Sequence, residues 1–370
     1  MSVRYFKSAI YKVYLVFDFA FYPQKHYFQG QEKSWIQRFR NLLFWLFRGE
    51  AFNYHYYAFG LNLKSKDQRE YIGKYEFLKL KKHAEQIMLK SLGDEKVHYD
   101  VITKDKFVAN KYLTSGNIPC VPVMGLVSYR EVQYSHGETK PLHSLFDLQE
   151  PFVLKNVLME SGNGILLCEP TSNGHLMMNR KEINLAVLQS FLHQSRWVLQ
   201  RRIHSHSAIR KINDSALNST RIVTVYNGKE PVYLGGFQAL ATGRAEIDSW
   251  SAGAIYAGID PLNSILVGPG YYHPHIASKT LVWEHPDSKI PIDGLYIPYL
   301  KESVDICIQA HKLYYNHFII GWDVVITDEG PMILEANEKP GMNAVQCVVG
   351  GVRTFVKDKY SELKRELNAT

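Results

Sequence analysis

Between Gly321 and Asn343 the chain reads GWDVVITDEGPMILEANEKPGMN, and no other stretch constrains the fold as much. Two short apolar runs flank the turn-forming segment Thr327-Asp328-Glu329-Gly330-Pro331, the pattern of a tight β-hairpin. Side chains alternate along a strand, so Glu335 and Asn337 share one face. Asp323 joins that face if it pairs with residue 335 or 337, and the turn allows the first of these registers. Val324, Ile326, Leu334 and Ala336 then point to the opposite, buried face. Asp and Asn are poor strand formers, and a polar face in a buried-looking hairpin needs compensation. Three oxygen ligands on a rigid hairpin suit a hard divalent cation. A surface hairpin with scattered polar residues is the plainer alternative.

The rest of the chain reads as an α+β order rather than a regular β-α alternation. Residues 1–100 are mainly helical in character, with a helix over Lys74–Leu92 that ends at Gly93. From Asp105-Lys106 onward the text becomes short strands, glycines and turns. Strands are expected at Ile118–Met124, Pro151–Lys155, Ile165–Cys168, Trp197–Gln200, Thr220–Tyr226 and Pro231–Ala241. Helices are expected at Asn184–Ser195, Leu300–Tyr315 and Gly351–Leu367. Three units follow: a helical N-terminal region over 1–100, a segment over 101–203 and a segment over 204–370.

At 370 residues the chain is too long for one simple core. Its 21% charged and 46% hydrophobic residues describe an ordinary folded protein and exclude a disordered or collagenous one. Cys120, Cys168, Cys307 and Cys347 lack metal-type spacing and read as reduced thiols of a cytoplasmic protein. The formal charge of +7 is uneven: residues 1–110 hold 19 Lys and Arg against 11 Asp and Glu, which leaves the remainder near neutral. A basic N-terminal third suits an anionic substrate or surface, or is simply a soluble basic face. No Arg-rich or aromatic motif supports nucleic acid. The apolar stretch Tyr11–Tyr22 is interrupted by Lys12 and Asp18 and lacks a signal-peptide cleavage site. Asn41–Phe47 is too short to cross a bilayer; it reads as a buried amphipathic helix or as an interfacial one at the inner face of the membrane.

Upstream of the hairpin, a strand ending on Lys155 is followed by Ser161-Gly162-Asn163-Gly164. Glycines let the backbone approach a ligand, and a lysine supplies a point charge for phosphate. The GKS/T ending of a P-loop is missing. The apolar strand at Trp197 turns polar at Gln200-Arg-Arg-Ile203, an edge that can offer backbone groups to a planar ring. His204-x-His206 and His273-x-His275 are H-x-H pairs, which suit a transition metal or arise from strand alternation alone.

The order Lys106, Lys155 with its glycine-rich loop, the hinge at Gln200, and Asp323…Glu335-x-Asn337 resembles the ATP-grasp enzymes. Finer text resembles the sugar-transfer-associated branch: Leu217–Thr224, Ile247–Ala254, His285-Pro-Asp-Ser with Gly294–Pro298, and Gly321–Gly341. The resemblance spans roughly residues 100–350. It implies two α+β subdomains clasping ATP, with 101–203 as the lid unit and 204–370 carrying the magnesium hairpin. ATP and Mg2+ are the implied cofactors, with two ions and Mn2+ as a substitute. Lys106 and Lys155 would contact phosphates, under a lid formed by residues 161–164. Gln200 and Ile203 would hold adenine, and His206 would reach the ribose. Asp323, Glu335 and Asn337 would bind magnesium. Arg221 would face the reacting carboxylate or the transferred phosphate, and Asp248 and Ser249 the second substrate.

The chain departs from the branch's usual pattern near that acceptor site. It has Ala241-Thr242 before Gly243 where an arginine is more common, Asp248-Ser249 where Asp-Asn is favoured, and Ala252-Gly253 where Gly-Gly is favoured. The resemblance implies a carboxylate–amine ligase that forms an amide through an acyl phosphate, acting on a saccharide or glycan precursor beside glycosyltransferase partners. A small-molecule kinase on the same scaffold and a non-catalytic nucleotide binder are the alternatives.

Overall fold

The computed structural model describes residues 28–47, 55–94, 97, 99–159, 164–171, 173, 175–274, 276 and 281–369. The Tyr11–Tyr22 stretch, three of the four glycine-loop residues (Ser161, Gly162 and Asn163) and His275 lie outside them.

Two antiparallel sheets organise the described chain. The first contains β1 (Val123–Val127), β2 (Glu131–Tyr134), β3 (Thr139–Pro141), β4 (Phe152–Asn156), β5 (Ile165–Pro170), β6 (Leu176–Met178), β7 (Lys181–Ile183) and β8 (Trp197–Arg201). Their order is β3-β2-β1-β8-β4-β5-β6-β7. The second contains β9 (Thr220–Tyr226), β10 (Pro231–Leu240), β11 (Ile255–Asp260), β12 (Ile265–Tyr271), β13 (Leu281–Val282), β14 (Ile319–Thr327) and β15 (Gly330–Asn337), in the order β13-β12-β11-β10-β9-β14-β15. This mixed α+β architecture agrees with the fold class expected from sequence.

The helices are α1 (Trp35–Phe47), α2 (His55–Ala58), α3 (Lys74–Ser91), α4 (Val101–Lys104), α5 (Lys106–Ser115), α6 (Leu185–Leu192), α7 (Ser207–Arg210), α8 (Leu300–Leu313), α9 (Met342–Val349) and α10 (Arg353–Ala369). Among the described residues none is long and apolar enough to cross a membrane. Helix α1 puts Leu42 and Trp45 into a core shared with Tyr56, Phe59 and Tyr71 and with Trp250, Tyr271 and Cys347 from the C-terminal part of the chain. Burying each such side chain contributes about 1.5–3 kcal/mol, which favours the buried reading of Asn41–Phe47 over the interfacial one.

The two faces of the second sheet have different coverings. Ile222, Ile320, Trp322 and Val324 pack with Val304, Cys307 and Ala310 of α8. Val223, Val225 and Ile319 pack with residues of α3, α9 and α10. Strand β14 is therefore covered on both sides, and along it every residue except Asp323 is buried. Asp323 and Arg221 lie on the α9 side, beside Pro340 and Gly341 where that helix begins.

Three sequence expectations need correction. Asp105 does not open a strand-rich region: its carboxylate accepts hydrogen bonds from the Phe107 and Val108 N–H groups at 3.0 Å, capping α5, so Lys106 sits in a helical first turn. The strand expected over Ile118–Met124 begins only at Val123. Pro119 and Pro122 lack an N–H for a ladder, and this segment instead makes a single parallel bridge, Cys120 to Ile333. In the hairpin, pairing runs from Thr327 opposite Gly330 to Val324 opposite Ile333, and only a shift of register then sets Asp323 opposite Glu335. The skipped residue, Leu334, is a bulge. Ile333 takes the core position and Leu334 lines the cleft.

Candidate functional site

Between the sheets lies a cavity of about 520 Å³, lined from both sides. The first sheet, the segment just beyond β8 and α5 contribute Lys106, Lys155, Gln200 and Ile203, and the second sheet and the loop between β10 and β11 contribute Arg221, Asp248, Ser249, Asp323, Glu335 and Asn337. Ten of the residues singled out from sequence thus share one cavity.

Register aligns the centre. Phe237, Arg221, Asp323 and Glu335 are successive cross-strand partners on β10, β9, β14 and β15. Arg221 Nε donates to Asp323 Oδ1 at 2.5 Å and Nη2 donates to Oδ2 at 3.2 Å. Its Nη1 donates to the Pro340 carbonyl at 2.8 Å. Asn337 Nδ2 donates to Asp323 Oδ2 at 3.0 Å and to Glu335 Oε1 at 3.3 Å. Sequence analysis aimed Arg221 at the reacting groups; in the structure it is engaged with Asp323.

Burial, followed by the Asp323 carboxylate, raises the Glu335 pKa above its ordinary value, and Lys106 and Lys155 pull the other way. Burial lowers Lys155, an effect Glu335 opposes and Lys106 reinforces. Burial also works against the Arg221 charge, but Asp323 outweighs it and the net shift is upward. Two carboxylates held side by side in a buried place repel each other, a situation that an added cation relieves. Among the described residues no cluster of three or more His, Cys, Asp or Glu is placed to hold a metal. The set here is two carboxylates and one amide, all hard oxygen donors once the amide turns its Oδ1 inward.

Lys106 Nζ donates to the Met159 carbonyl at 2.5 Å, beside the glycine loop. Gly164, the described end of that loop, has φ +76, and a Cβ there would meet Asn156 Cβ and Met159 Sδ at 2.8 Å, so glycine is needed for both conformation and space. At the hinge, Gln200 is buried and its side chain donates to the Val121 carbonyl at 3.3 Å. The structure does not bring His206 into the lining. Its Nδ1 accepts from the Ala208 N–H at 3.0 Å, capping α7, and its Nε2 lies 3.6 Å from Asp328. His204 and Asp214 line the cavity there instead.

Asp248 accepts from the Ser219 hydroxyl at 2.7 Å and from the Ser219 N–H. The Ser249 and Ser251 hydroxyls are 3.1 Å apart. Beyond them stands an aromatic wall that sequence reasoning missed. Phe237 stacks on Tyr256 with centroids 4.1 Å apart, Tyr256 on Trp250 at 5.2 Å, and His273 meets Trp250 edge-on at 4.8 Å. The spacing of Phe237, Trp250 and Tyr256 gives no periodic signal, because they come from two strands and a loop.

No curated protein matches the chain. Among solved structures it is similar to the D-alanine–D-alanine ligase from Coxiella burnetii (14% identity, TM-score 0.39, covering 72% of this chain and 60% of that one). It is also similar to the D-alanine–D-alanine ligase from Bacillus anthracis (16%, 0.38, 77% and 74%) and to phosphoribosylamine–glycine ligase from Thermotoga maritima (11%, 0.41, 70% and 55%). The chain spans 60% of the first of these, and likenesses this low carry no argument about activity. The family model described as sugar-transfer associated ATP-grasp matches residues 93–357, well over half the chain. The chain therefore belongs to the sugar-transfer associated ATP-grasp family.

Proposed function

We propose that the cleft binds Mg·ATP and that the protein joins a carboxylate to an amine, with a saccharide or cell-surface glycan precursor as one partner. The observation that carries this reading is the convergence of Lys106 and Lys155 from one side and Arg221, Asp323, Glu335 and Asn337 from the other on a single cavity. ATP-grasp enzymes use ATP and Mg2+, and the donor set fits that ion. Asp323, Glu335 and Asn337 would hold it, and it would supply positive charge to the phosphate oxygens.

The protein's own groups do the remaining work by position and charge. Lys155 and Lys106 bind phosphate oxygens, and Gln200 and Ile203 hold the adenine edge through backbone groups. Ile203 lies two residues beyond β8, and among the described residues its backbone N–H and carbonyl make no hydrogen bond within the protein. Leu334, re-aimed by the bulge, adds an apolar side chain to the same cavity. Arg221 is poised at the junction where two anions must meet, and Asp248 and Ser249 face the acceptor. An acceptor carboxylate oxygen attacks the γ-phosphorus, the bond to the bridging oxygen breaks, and ADP leaves. The amine then attacks the acyl carbon of the resulting acyl phosphate, the carbon–oxygen bond to phosphate breaks, and the amine loses a proton. No protein nucleophile is required. The four cysteines are unpaired, in keeping with the cytoplasm, where ATP is supplied.

The test is a matrix of uronic acids and other sugar acids against amino sugars and amino acids, with Mg·ATP, reading ADP, free phosphate and product mass. A ligase releases ADP and phosphate together, with an amide product, when acid and amine are both present. ADP release with a phosphorylated acceptor and no free phosphate would overturn the ligase reading in favour of a kinase.

A further inference from the structure

The connection between β6 and β7 is two residues long, because Met178 pairs with Lys181. Those residues, Asn179 and Arg180, have φ of +48 and +64. Two successive positive values are the mark of a type I′ turn, whose second position is cheapest as glycine. An arginine there accepts a conformational cost that a surface turn does not require. The turn is held firmly: Asn179 Oδ1 accepts from the Leu167 N–H at 2.8 Å, and the Asn179 N–H donates to the Leu167 carbonyl at 2.9 Å.

From this fixed base Arg180 reaches across to the second sheet. Its Nε lies 2.6 Å from Glu246 Oε1, and its Nη2 donates to the Arg244 carbonyl at 3.5 Å. Glu246 lines the cleft and belongs to the loop of residues 243–249, which also carries Asp248 and Ser249. That loop is tied at both ends to segments that flank strands of its own sheet. The Gly243 N–H donates to Asp287 Oδ2 at 2.7 Å, and Asp248 holds Ser219, two residues before Arg221. A continuous line of contacts thus runs from the first sheet through Glu246 and Asp248 to the strand bearing Arg221.

We infer that Arg180 is a positioning residue that clasps the first sheet to loop 243–249, so that the acceptor half of the cleft is set while that sheet is seated over nucleotide. The inference rests on the reading of the cleft as a Mg·ATP site. Its consequence is an order of events: nucleotide first, acceptor second, which keeps the acyl phosphate from forming in a cleft still open to water.

Calorimetry with the non-hydrolysable Mg–adenylyl imidodiphosphate tests it on the full chain. The Arg180 side chain is 59% exposed and that of Glu246 26% exposed, so attraction alone is worth about a 2- to 5-fold change. Reversal adds repulsion, and Arg180→Glu or Glu246→Arg should each weaken binding about 3- to 10-fold. The double reversal should return to within about twofold of the parent, since it restores an opposite-charge pair. Hydrogen exchange supplies the second readout: nucleotide should protect amides 243–249 in the parent and the double reversal but not in either single variant. Parent-like affinity and protection in both single variants, or a double variant weaker than either, overturns the clasp alone. A parent chain that fails to bind the nucleotide overturns the reading of the cleft and the clasp with it.

Discussion

Removing the Arg221 guanidinium should leave a buried carboxylate without its counter-charge, and Arg221→Met is the direct perturbation. Arg221 meets Asp323 through two hydrogen bonds at 2.5 and 3.2 Å, and Asp323 in turn faces Glu335 across the hairpin. Removing one member of a buried pair costs about 3–5 kcal/mol. The two side chains retain 19% and 16% exposure, so water screens part of that, and Asp323 can take up a proton. About 2–3 kcal/mol is the discounted cost. At about 2 °C per kcal/mol for a chain of this size, the melting midpoint falls by about 4–6 °C. Thermal unfolding in EDTA at pH 7 measures it. Arg221→Met/Asp323→Leu should regain most of the loss, because no lone charge remains. Millimolar magnesium should narrow the gap between Arg221→Met and the parent, since a bound cation replaces the missing charge. A single variant that melts within about 1 °C of the parent, or a double variant that falls further, refutes the reasoning.

Three more outcomes follow from the same geometry. Because burial and Asp323 raise Glu335 above 4.5, the folded protein holds that proton more tightly than the unfolded chain and its charged form costs stability. Glu335→Gln should therefore melt higher than the parent in EDTA at pH 7, with the difference vanishing toward pH 4.5; a lower melting point contradicts this. Burial pulls His311 down to about 4 and His317 to about 3. The folded chain then binds fewer protons than the unfolded one below pH 6.5, and stability should fall with pH from there toward 4, each imidazole adding at most about 1.4 kcal/mol per pH unit. Urea midpoints should show a shallower slope in His311→Asn, and an unchanged slope contradicts the assignment. A Cβ at Gly321 would meet Pro340 Cβ at 2.7 Å. Gly321→Ala should therefore push aside the residue whose carbonyl holds Arg221, lowering stability by about 1–3 kcal/mol and weakening Mg·ATP binding in calorimetry; parent-like values in both would refute it.

Much of the site was legible because it rests on short-range rules. Period-2 alternation placed Glu335 and Asn337 on one face, but the turn, with Thr327 opposite Gly330, would on its own set Asp323 opposite Leu334; the bulge is what brings Glu335 there. The bulge at Leu334 was not legible, since one extra apolar residue in an apolar run leaves the polarity pattern unchanged. Lys106 was identified as a cleft residue but placed in the wrong element, because the Asp105 cap and the short helix after it carry little periodicity. His206 was assigned by its place after the hinge, and only the three-dimensional path of the chain shows its ring turned to cap α7. Arg180 gave no signal at all. Its role depends on positive φ and on a partner 66 residues away in sequence, neither of which a linear pattern encodes.

If the Asp323–Glu335–Asn337 hairpin anchors Mg·ATP in the cleft between the sheets, nucleotide binding must depend on both the metal and the hairpin. Titrating ATP into the full chain by calorimetry, with magnesium and with EDTA, for the parent and Glu335→Ala, tests it most directly. Binding should be saturable, depend on magnesium and weaken at least about tenfold in Glu335→Ala, the loss expected when a ligand of a bound ion is removed. Binding of equal strength in EDTA and in Glu335→Ala, or no binding by the parent, would contradict it.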